Sequence, residues 1–483
     1  MYRTGSVSVR GRMRWYASSL LSVFLVFVFL LSDSKPAEAL PLPNVKIHAI
    51  PAFARKYGMP CSSCHVGWPM LSAFGQAFKD NGYQMGNDRD APIFQQPGYW
   101  PVTFRMTTFW HRESTNREQV DDPTSTTGGQ IEGKVTTHGF DWSGLDFHTG
   151  GTLAKNFSFY VLPSSDNTGA FHFESVFARV DNILGSSWLN IKLGKFELDN
   201  LLSEKRILTL TNVSGVYTNY HFQPATENAA FFTFGIGDNQ VGAEWMGHSK
   251  DDRTRVSASI LSSNDGSPGL PTSRGYDAFF TASQAFQVGS LGLQRVGAFA
   301  YLGQAPTYYQ FNEGGAPVPG TGIGNKSFYR AGLIAQIFIK KFDFTPMYFH
   351  GYDSAFLGTS TPANAPLPVG AQAPTWNGFL LESHYDYSPQ FMIINRYEAV
   401  RMSRQALPID STNLFIPGVS VPSSNFGDMD VWTFGYRYYP FISSRAGFAF
   451  HNEYAISRQR GTSPVTGQNL TTSSLLLGFD FAF

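Results

Sequence analysis

The sequence predicts a mainly β chain: a transmembrane antiparallel β-barrel of about 16 strands, with 16–18 allowed, preceded by a small α-helical N-terminal unit. Three observations carry this. From Tyr99 onward apolar side chains recur with period two. The 483 residues are 15% aromatic and only 15% charged, with 47 glycines, whereas soluble chains are about a quarter charged. The N-terminus has the look of an export signal, yet no later apolar run is long enough for a membrane helix.

Residues 1–39 read as a secretory signal peptide. Arg3, Arg10, Arg12 and Arg14 form its basic region, 20–31 its apolar core, and Ala37-Glu38-Ala39 the small-x-small cleavage site. The other reading is an uncleaved anchor helix, for which the apolar run is short against the roughly 20 residues of a membrane span. Without this stretch 444 residues remain, with 31 basic and 34 acidic side chains and a formal charge of −3. No basic stripe points to nucleic acid, and no polybasic run points to a lipid-surface anchor.

Residues 40–98 form the N-terminal unit. It contains the two cysteines of the chain, Cys61 and Cys64, which with His65 make a single C-x-x-C-H. This is the pattern of c-type haem attachment. Two thiols at this spacing bond the two vinyl-derived carbons of one haem, and the adjacent histidine lies beneath the iron as proximal ligand. A disulfide or a thioredoxin-like redox pair would use the same cysteines, but neither needs the histidine, and no βαβ pattern surrounds them. After the motif, Trp68-Pro69 opens a helix, with proline where its missing N–H costs nothing. Leu71, Phe74 and Phe78 follow at helical spacing, and Asn81-Gly82 ends it. Those apolar residues are expected to pack on the porphyrin or in a small core. A unit this size is marginal alone, so haem and contact with the rest of the chain should hold it.

Residues 99–483 form the barrel. Trp432, Phe434, Tyr436 and Tyr438 make one face aromatic, while Val431, Thr433, Gly435 and Arg437 make the other. Tyr329, Ala331, Leu333, Ala335, Ile337 and Ile339 alternate with Arg330, Gly332, Ile334, Gln336 and Phe338. Leu475, Leu477, Phe479, Phe481 and Phe483 repeat the pattern with Gly478, Asp480 and Ala482 between. Alternation places one face in an apolar medium and the other in a polar one. A soluble β-sandwich would alternate too. Aromatic outward sets, the export signal, too few cysteines to staple a secreted sandwich, and an aromatic final residue favour the membrane barrel. Gly/Pro/Ser-rich stretches at 113–130, 262–275, 304–326, 354–375 and 404–428 read as long outer loops.

Ala52-Phe53-Ala54-Arg55-Lys56, Cys61-x-x-Cys64-His65, Pro69-x-Leu71 and Phe74-Gly75 resemble the head of the fused monohaem cytochrome c–porin family, the outer-membrane ferrous-iron-oxidising cytochromes of iron-oxidising bacteria. The plan of signal, head and barrel is similar throughout; the motif detail is confined to 52–75. The low charge density is similar to that of acidophile members. The resemblance implies an oxidoreductase of the Fe(II):cytochrome c type in the cell outer membrane, with one covalent haem c. It implies extracellular Fe(II) as electron donor and a periplasmic soluble carrier, a cytochrome c or copper protein, as acceptor.

Physical chemistry points the same way. Ferric products are insoluble or damaging inside a cell, so the electron should be taken at the outer surface. One haem is far smaller than the roughly 30 Å hydrocarbon core, so it must sit within the pore to help carry an electron across. A unit of this length has a radius of gyration of about 10 Å, and a barrel of this size leaves an aqueous channel. The head is therefore expected as a plug, in the lumen or at its periplasmic mouth. Two other functions stay open: a haem-plugged or redox-gated diffusion porin, and an electron conduit for a donor other than Fe(II). Whether the chain is a monomer or a homo-oligomer also stays open.

For the distal iron ligand the candidates are His48, Met59, Met70, Met85 and Met106. Met85 follows the Asn81-Gly82 turn, far enough from His65 for the chain to double back, and a methionine raises the haem potential. Asp121-Asp122, Asp251-Asp252 and Asp428-x-Asp430 are carboxylate pairs that a hard cation could use. None is marked as a substrate-iron site. His111, His138, His148, His172, His221, His248, His350, His384 and His451 lack metal-type spacing and suit hydrogen bonding in the lumen.

Overall fold

The computed structural model describes residues 52–57, 59, 61–67, 70–85, 102–165, 168–198, 239–262, 276–305, 309–311, 317–319, 326–354, 373, 375–388, 390–402, 428–442, 447–460 and 468–482. The proposed signal peptide, 1–39, His48 and His221 lie outside these.

Period-two alternation over half-buried segments makes strands, and 16 of them close into one antiparallel barrel. They are β1 (Val102–Asp121), β2 (Gln130–Ala154), β3 (Phe157–Ser165), β4 (Phe171–Val180), β5 (Asn190–Glu197), β6 (Asn239–His248), β7 (Thr254–Leu261) and β8 (Asp277–Gln287). Then come β9 (Leu293–Ala305), β10 (Lys326–Ile339), β11 (Phe342–Asp353), β12 (Thr375–Ser388), β13 (Phe391–Met402), β14 (Met429–Ile442), β15 (Gly447–Gln459) and β16 (Leu470–Ala482). Every strand pairs with its neighbours in chain order. β16 closes on β1, with Thr472 opposite Thr115 and Ala482 opposite Arg105.

Short and long connections alternate. Short turns, such as 155–156, 249–253 and 340–341, lie at the end where β1 begins; the longest connections, including 198–238, 306–325, 354–374 and 403–428, lie at the other. Two expectations need correction. Residues 113–121 are not loop but the upper part of β1, paired with 130–137 of β2: their alternating Thr, Arg, Glu and Val satisfy a ladder despite their polarity. The 198–238 connection carries no Gly/Pro/Ser excess, so composition did not mark it.

The two faces separate as the alternation requires. Trp432, Phe434 and Tyr438 are exposed on the outside, while Val431, Thr433 and Arg437 are buried inside. Leu333, 62% exposed, points outward from β10, and Arg330, 1% exposed, points inward. An apolar outer band on a closed barrel is the solution for crossing an outer membrane with strands.

The inner wall changes character with height. Near the long loops, Phe279, Tyr301, Phe328, Phe349, Trp376 and Val400 form a buried apolar collar. Nearer the short turns the wall carries charge. His384 sits between Asp343 (2.6 Å) and Glu382 (2.8 Å), Arg396 faces Glu398 (3.3 Å), and Arg105 reaches Asp146 (3.2 Å). Buried charges persist only when paired in this way.

Candidate functional site

The N-terminal segment is built from three short helices: α1 (Ala52–Tyr57), α2 (Cys61–Cys64) and α3 (Ala73–Asp80). The single turn of α2 sets positions 61 and 64 one turn apart on the same side of the backbone. His65 follows at once and begins a bridge, His65–Gly67 paired with Met70–Leu71. The helix expected to open at Trp68-Pro69 begins later. Those two residues lie outside the described ones, Met70–Leu71 is extended, and Ser72 is the N-cap of α3, its Oγ accepting from the Gly75 N–H at 3.1 Å. A serine three residues before a glycine made the better start signal.

Ser72 also locks α2 to α3. Its N–H donates to the Cys64 carbonyl (2.8 Å), and its hydroxyl donates to the Ser63 carbonyl (2.9 Å). Gly75 lies so close that a Cβ there would collide with the Cys64 carbonyl. The α3 helix ends in a Schellman turn. Gly82 and Tyr83 both take left-handed φ (70° and 61°), the Gly82 N–H donates to Lys79 O, and the Tyr83 N–H donates to Phe78 O. This brings Tyr83 onto Phe78 and Phe53, with ring centroids 6.1 and 5.1 Å away. Burial pushes the Tyr83 phenol well above its ordinary range.

Among the described residues, the contacts that follow tie this segment to the inner wall near the short turns. Tyr83 stacks on Tyr160 of β3, whose hydroxyl shares a hydrogen bond with His148 (2.7 Å). Arg179 of β4, 2% exposed, donates to the Lys79 and Asp80 carbonyls at 2.7 Å each and pairs with Asp181 at 2.5 Å. Arg255 of β7 pairs with the Asp80 carboxylate. Met70 is buried with Met392 and Ile394 of β13. The sequence reading missed Arg179, Asp181 and Arg255. For Arg179 and Arg255 the signal was present, a charged residue at the inward parity of a strand; Asp181 follows the end of β4.

The described side chains of the motif fit a covalent haem: Cys64 and His65 are half-buried rather than enclosed, and Phe74 of α3, 40% exposed, offers apolar surface that a porphyrin would cover. Phe78, not Phe74, joins the aromatic cluster. Of the distal candidates, Met85 packs half-buried against that cluster. Met70 is committed to the wall, and Met106 sits at the outward parity of β1, opposite Phe481. Met59 is half-buried.

Among the described residues no group of three or more His, Cys, Asp or Glu could hold a metal ion. The carboxylate pairs are otherwise engaged. Asp122 accepts from the Thr124 N–H and hydroxyl. Asp251 accepts from Ser249, and Asp252 faces Arg255 and Arg295 in a short turn, away from the long loops. Asp430 binds Arg401 and Arg460. Of the histidines, His148, His248, His384 and His451 are hydrogen-bonded on the inner side, whereas His350 joins Tyr329 on the outer girdle.

No protein-family model matches this chain, and no curated protein does. Solved structures to which the chain is similar include an anion-selective porin from Comamonas acidovorans, at 11% identity over 79% of this chain and 99% of that one, with a TM-score of 0.47. Others are the outer membrane channel DcaP of Acinetobacter baumannii (10%, 81% and 99%, 0.43) and OprB of Pseudomonas putida (9%, 87% and 99%, 0.42). The fold is decided by the strand pairing itself.

Proposed function

We propose that this chain is an outer-membrane c-type cytochrome that oxidises extracellular Fe(II) and passes one electron to a periplasmic soluble carrier. The observation that supports it is a C-x-x-C-H turn on a segment tied to the inner wall of a closed barrel. Haem c, when bound, supplies the one-electron couple. Cys61 and Cys64 would hold it covalently, His65 would ligate the iron, and Met85 is the residue proposed as the iron's second protein ligand. Ser72 and Gly75 fix the turn against α3, and Arg179, Arg255 and Met70 fix α3 and its approach to the wall. The head thus acts as a plug at the periplasmic mouth. For each Fe(II) oxidised to Fe(III), the carrier is reduced by one electron. A cytochrome c or a copper protein has the chemistry to accept it.

The barrel favours a second reading. Sixteen strands leave an aqueous channel, so a haem-plugged or redox-gated diffusion porin is the alternative, whether as a monomer or a homo-oligomer. An absorption spectrum of the detergent-purified protein before and after ferrous sulfate at acidic pH separates the two. Reduced c-type bands appearing with Fe(II) support iron oxidation. Bands that need dithionite favour the gated porin, and no haem bands would end both haem readings.

A further inference from the structure

We propose that three neighbouring short turns, 155–156, 181–189 and 249–253, form a docking platform for an acidic-faced soluble electron carrier with an apolar contact patch. This deepens the electron-transfer reading above and rests on it.

The centre of the platform is Leu184, 93% exposed at the tip of the β4–β5 turn. Its φ of 56° lies in the left-handed region, as do Asn182 at 48° and Gly185 at 76°. A leucine held in a disfavoured backbone conformation and presented to solvent is a feature that folding alone does not ask for.

The turn around it is firmly built. The Asn182 N–H donates to Asn190 Oδ1 (2.8 Å), and Asn190 Nδ2 donates to the carbonyls of Ser187 (2.8 Å) and Met246 (3.0 Å). The neighbouring turns are bonded to it: the Asp181 N–H donates to Asn156 O (2.8 Å), and the Ser187 hydroxyl donates to His248 O (2.8 Å). Trp188 and Trp245 lie at the base of the turn, with Trp245 Nε1 donating to Trp188 O. Such a pair marks the membrane interface, and Leu184 lies beyond it at the tip.

The exposed charge of these turns is mostly positive. Lys155, Lys250 and Arg253 are exposed, and Lys340 and Lys341 lie in another short turn at the same end. Among the described residues of these three turns Asp251 is the one exposed acid, and it pairs with Arg253 at 3.4 Å. Asp181 is buried on Arg179, and Asp252 faces Arg255 and Arg295. An apolar knob on a set of turns with an excess of exposed cations complements an acidic face with an apolar patch, the kind of small surface that transient electron-transfer encounters use.

The same turns hold the haem-motif segment from within. Asp181 meets Gly82, Arg179 caps the end of α3, and Arg255 pairs with Asp80. A carrier on the outer side of these turns would stand behind the wall contacts of the cytochrome head. One electron would leave the reduced head and convert the carrier from its oxidised to its reduced form.

The test uses the full-length holo-protein in detergent, its haem reduced with dithionite and the excess removed. Oxidised plastocyanin, a copper protein with an acidic patch beside an apolar one, is the probe, and basic mitochondrial-type cytochrome c is the control. The rate of copper reduction is followed by absorbance against salt. For the Lys155→Glu/Lys250→Glu/Arg253→Glu variant the expected rate with plastocyanin at low salt is about tenfold lower, the difference fading toward roughly 1 M salt. Leu184→Asn keeps a side chain that tolerates left-handed φ and is expected to slow transfer about threefold at all salt concentrations, with an unchanged haem spectrum. A parent-like rate in either variant, or a parent protein that prefers the basic control, overturns the platform. Parent-like rates with Leu184→Asn would assign that side chain to lipid headgroups. Because dithionite supplies the electron, failure of Fe(II) to reduce the haem would remove the iron-oxidation reading while leaving this result standing.

Discussion

Gly75 and Asp252 show how single residues set the site. At Gly75 a methyl group would meet the Cys64 carbonyl, and backbone cannot move aside as a side-chain tip can. Overpacking of this kind costs about 1–3 kcal/mol. Gly75→Ala is expected to lower the haem content per chain and the thermal midpoint; a fully loaded, equally stable variant would show that the helix contact is dispensable. At Asp252, burial first and then the charge of Asp80 push the carboxyl up to about 6, against the pull of Arg255, Arg295 and His248. The folded state therefore holds the proton more tightly than the unfolded chain. The resulting stabilisation is full below the ordinary value of 3.8 and is lost as pH rises through about 6. The tether between Asp80 and Arg255 should then be tightest in acid. Asp252→Asn should flatten the dependence of the unfolding midpoint over roughly pH 4 to 7, and an unchanged slope would rule this group out as its source.

At the scale of elements, α3 cannot stand alone, since eight residues are far short of a stable isolated helix. It persists because Ser72 caps its start, Tyr83 closes its end over Phe78, and Arg179 supplies donors to its last carbonyls. Cations at a helix C-terminus are favoured by its partial negative charge. The barrel strands obey a different medium. Leu333 projects from the middle of β10 into the lipid band, and Leu333→Arg should cost about 2–4 kcal/mol near the bilayer midplane. Its measure is the denaturant midpoint of the barrel refolded into vesicles. A neutral effect would place that face outside the hydrocarbon.

For the whole molecule the question is whether the lumen conducts. The inner wall is lined by buried side chains, among them Arg330, Arg396 and Arg437, each below 2% exposed, where an open channel would keep them wet. Arg179→Met removes the donors to α3 and leaves Asp181 as an uncompensated buried charge, a loss of about 3–5 kcal/mol for such a pair. In planar-bilayer recordings the parent protein is expected to conduct poorly and Arg179→Met to open measurably more often. Equal conductance in the two would sink the plug while leaving the haem chemistry untouched.

Period-two alternation in a low-charge, aromatic-rich chain was enough to determine a barrel of 16–18 strands, its inward and outward faces and most of its long connections, because lipid and lumen impose opposite polarity on successive residues; sheet closure set the number at 16. It misread 113–121 as loop, since a polar strand above the lipid band carries no apolar signal. The C-x-x-C-H was legible for the same local reason: its chemistry needs neighbours in sequence. Tertiary structure alone decided what holds that motif. Arg179 meets Lys79 and Asp80, Arg255 meets Asp80, and Met70 meets Met392 across sequence separations of 99 residues or more. Those contacts depend on closure of the sheet and on strand register, which bring side chains together only once the whole ring has formed.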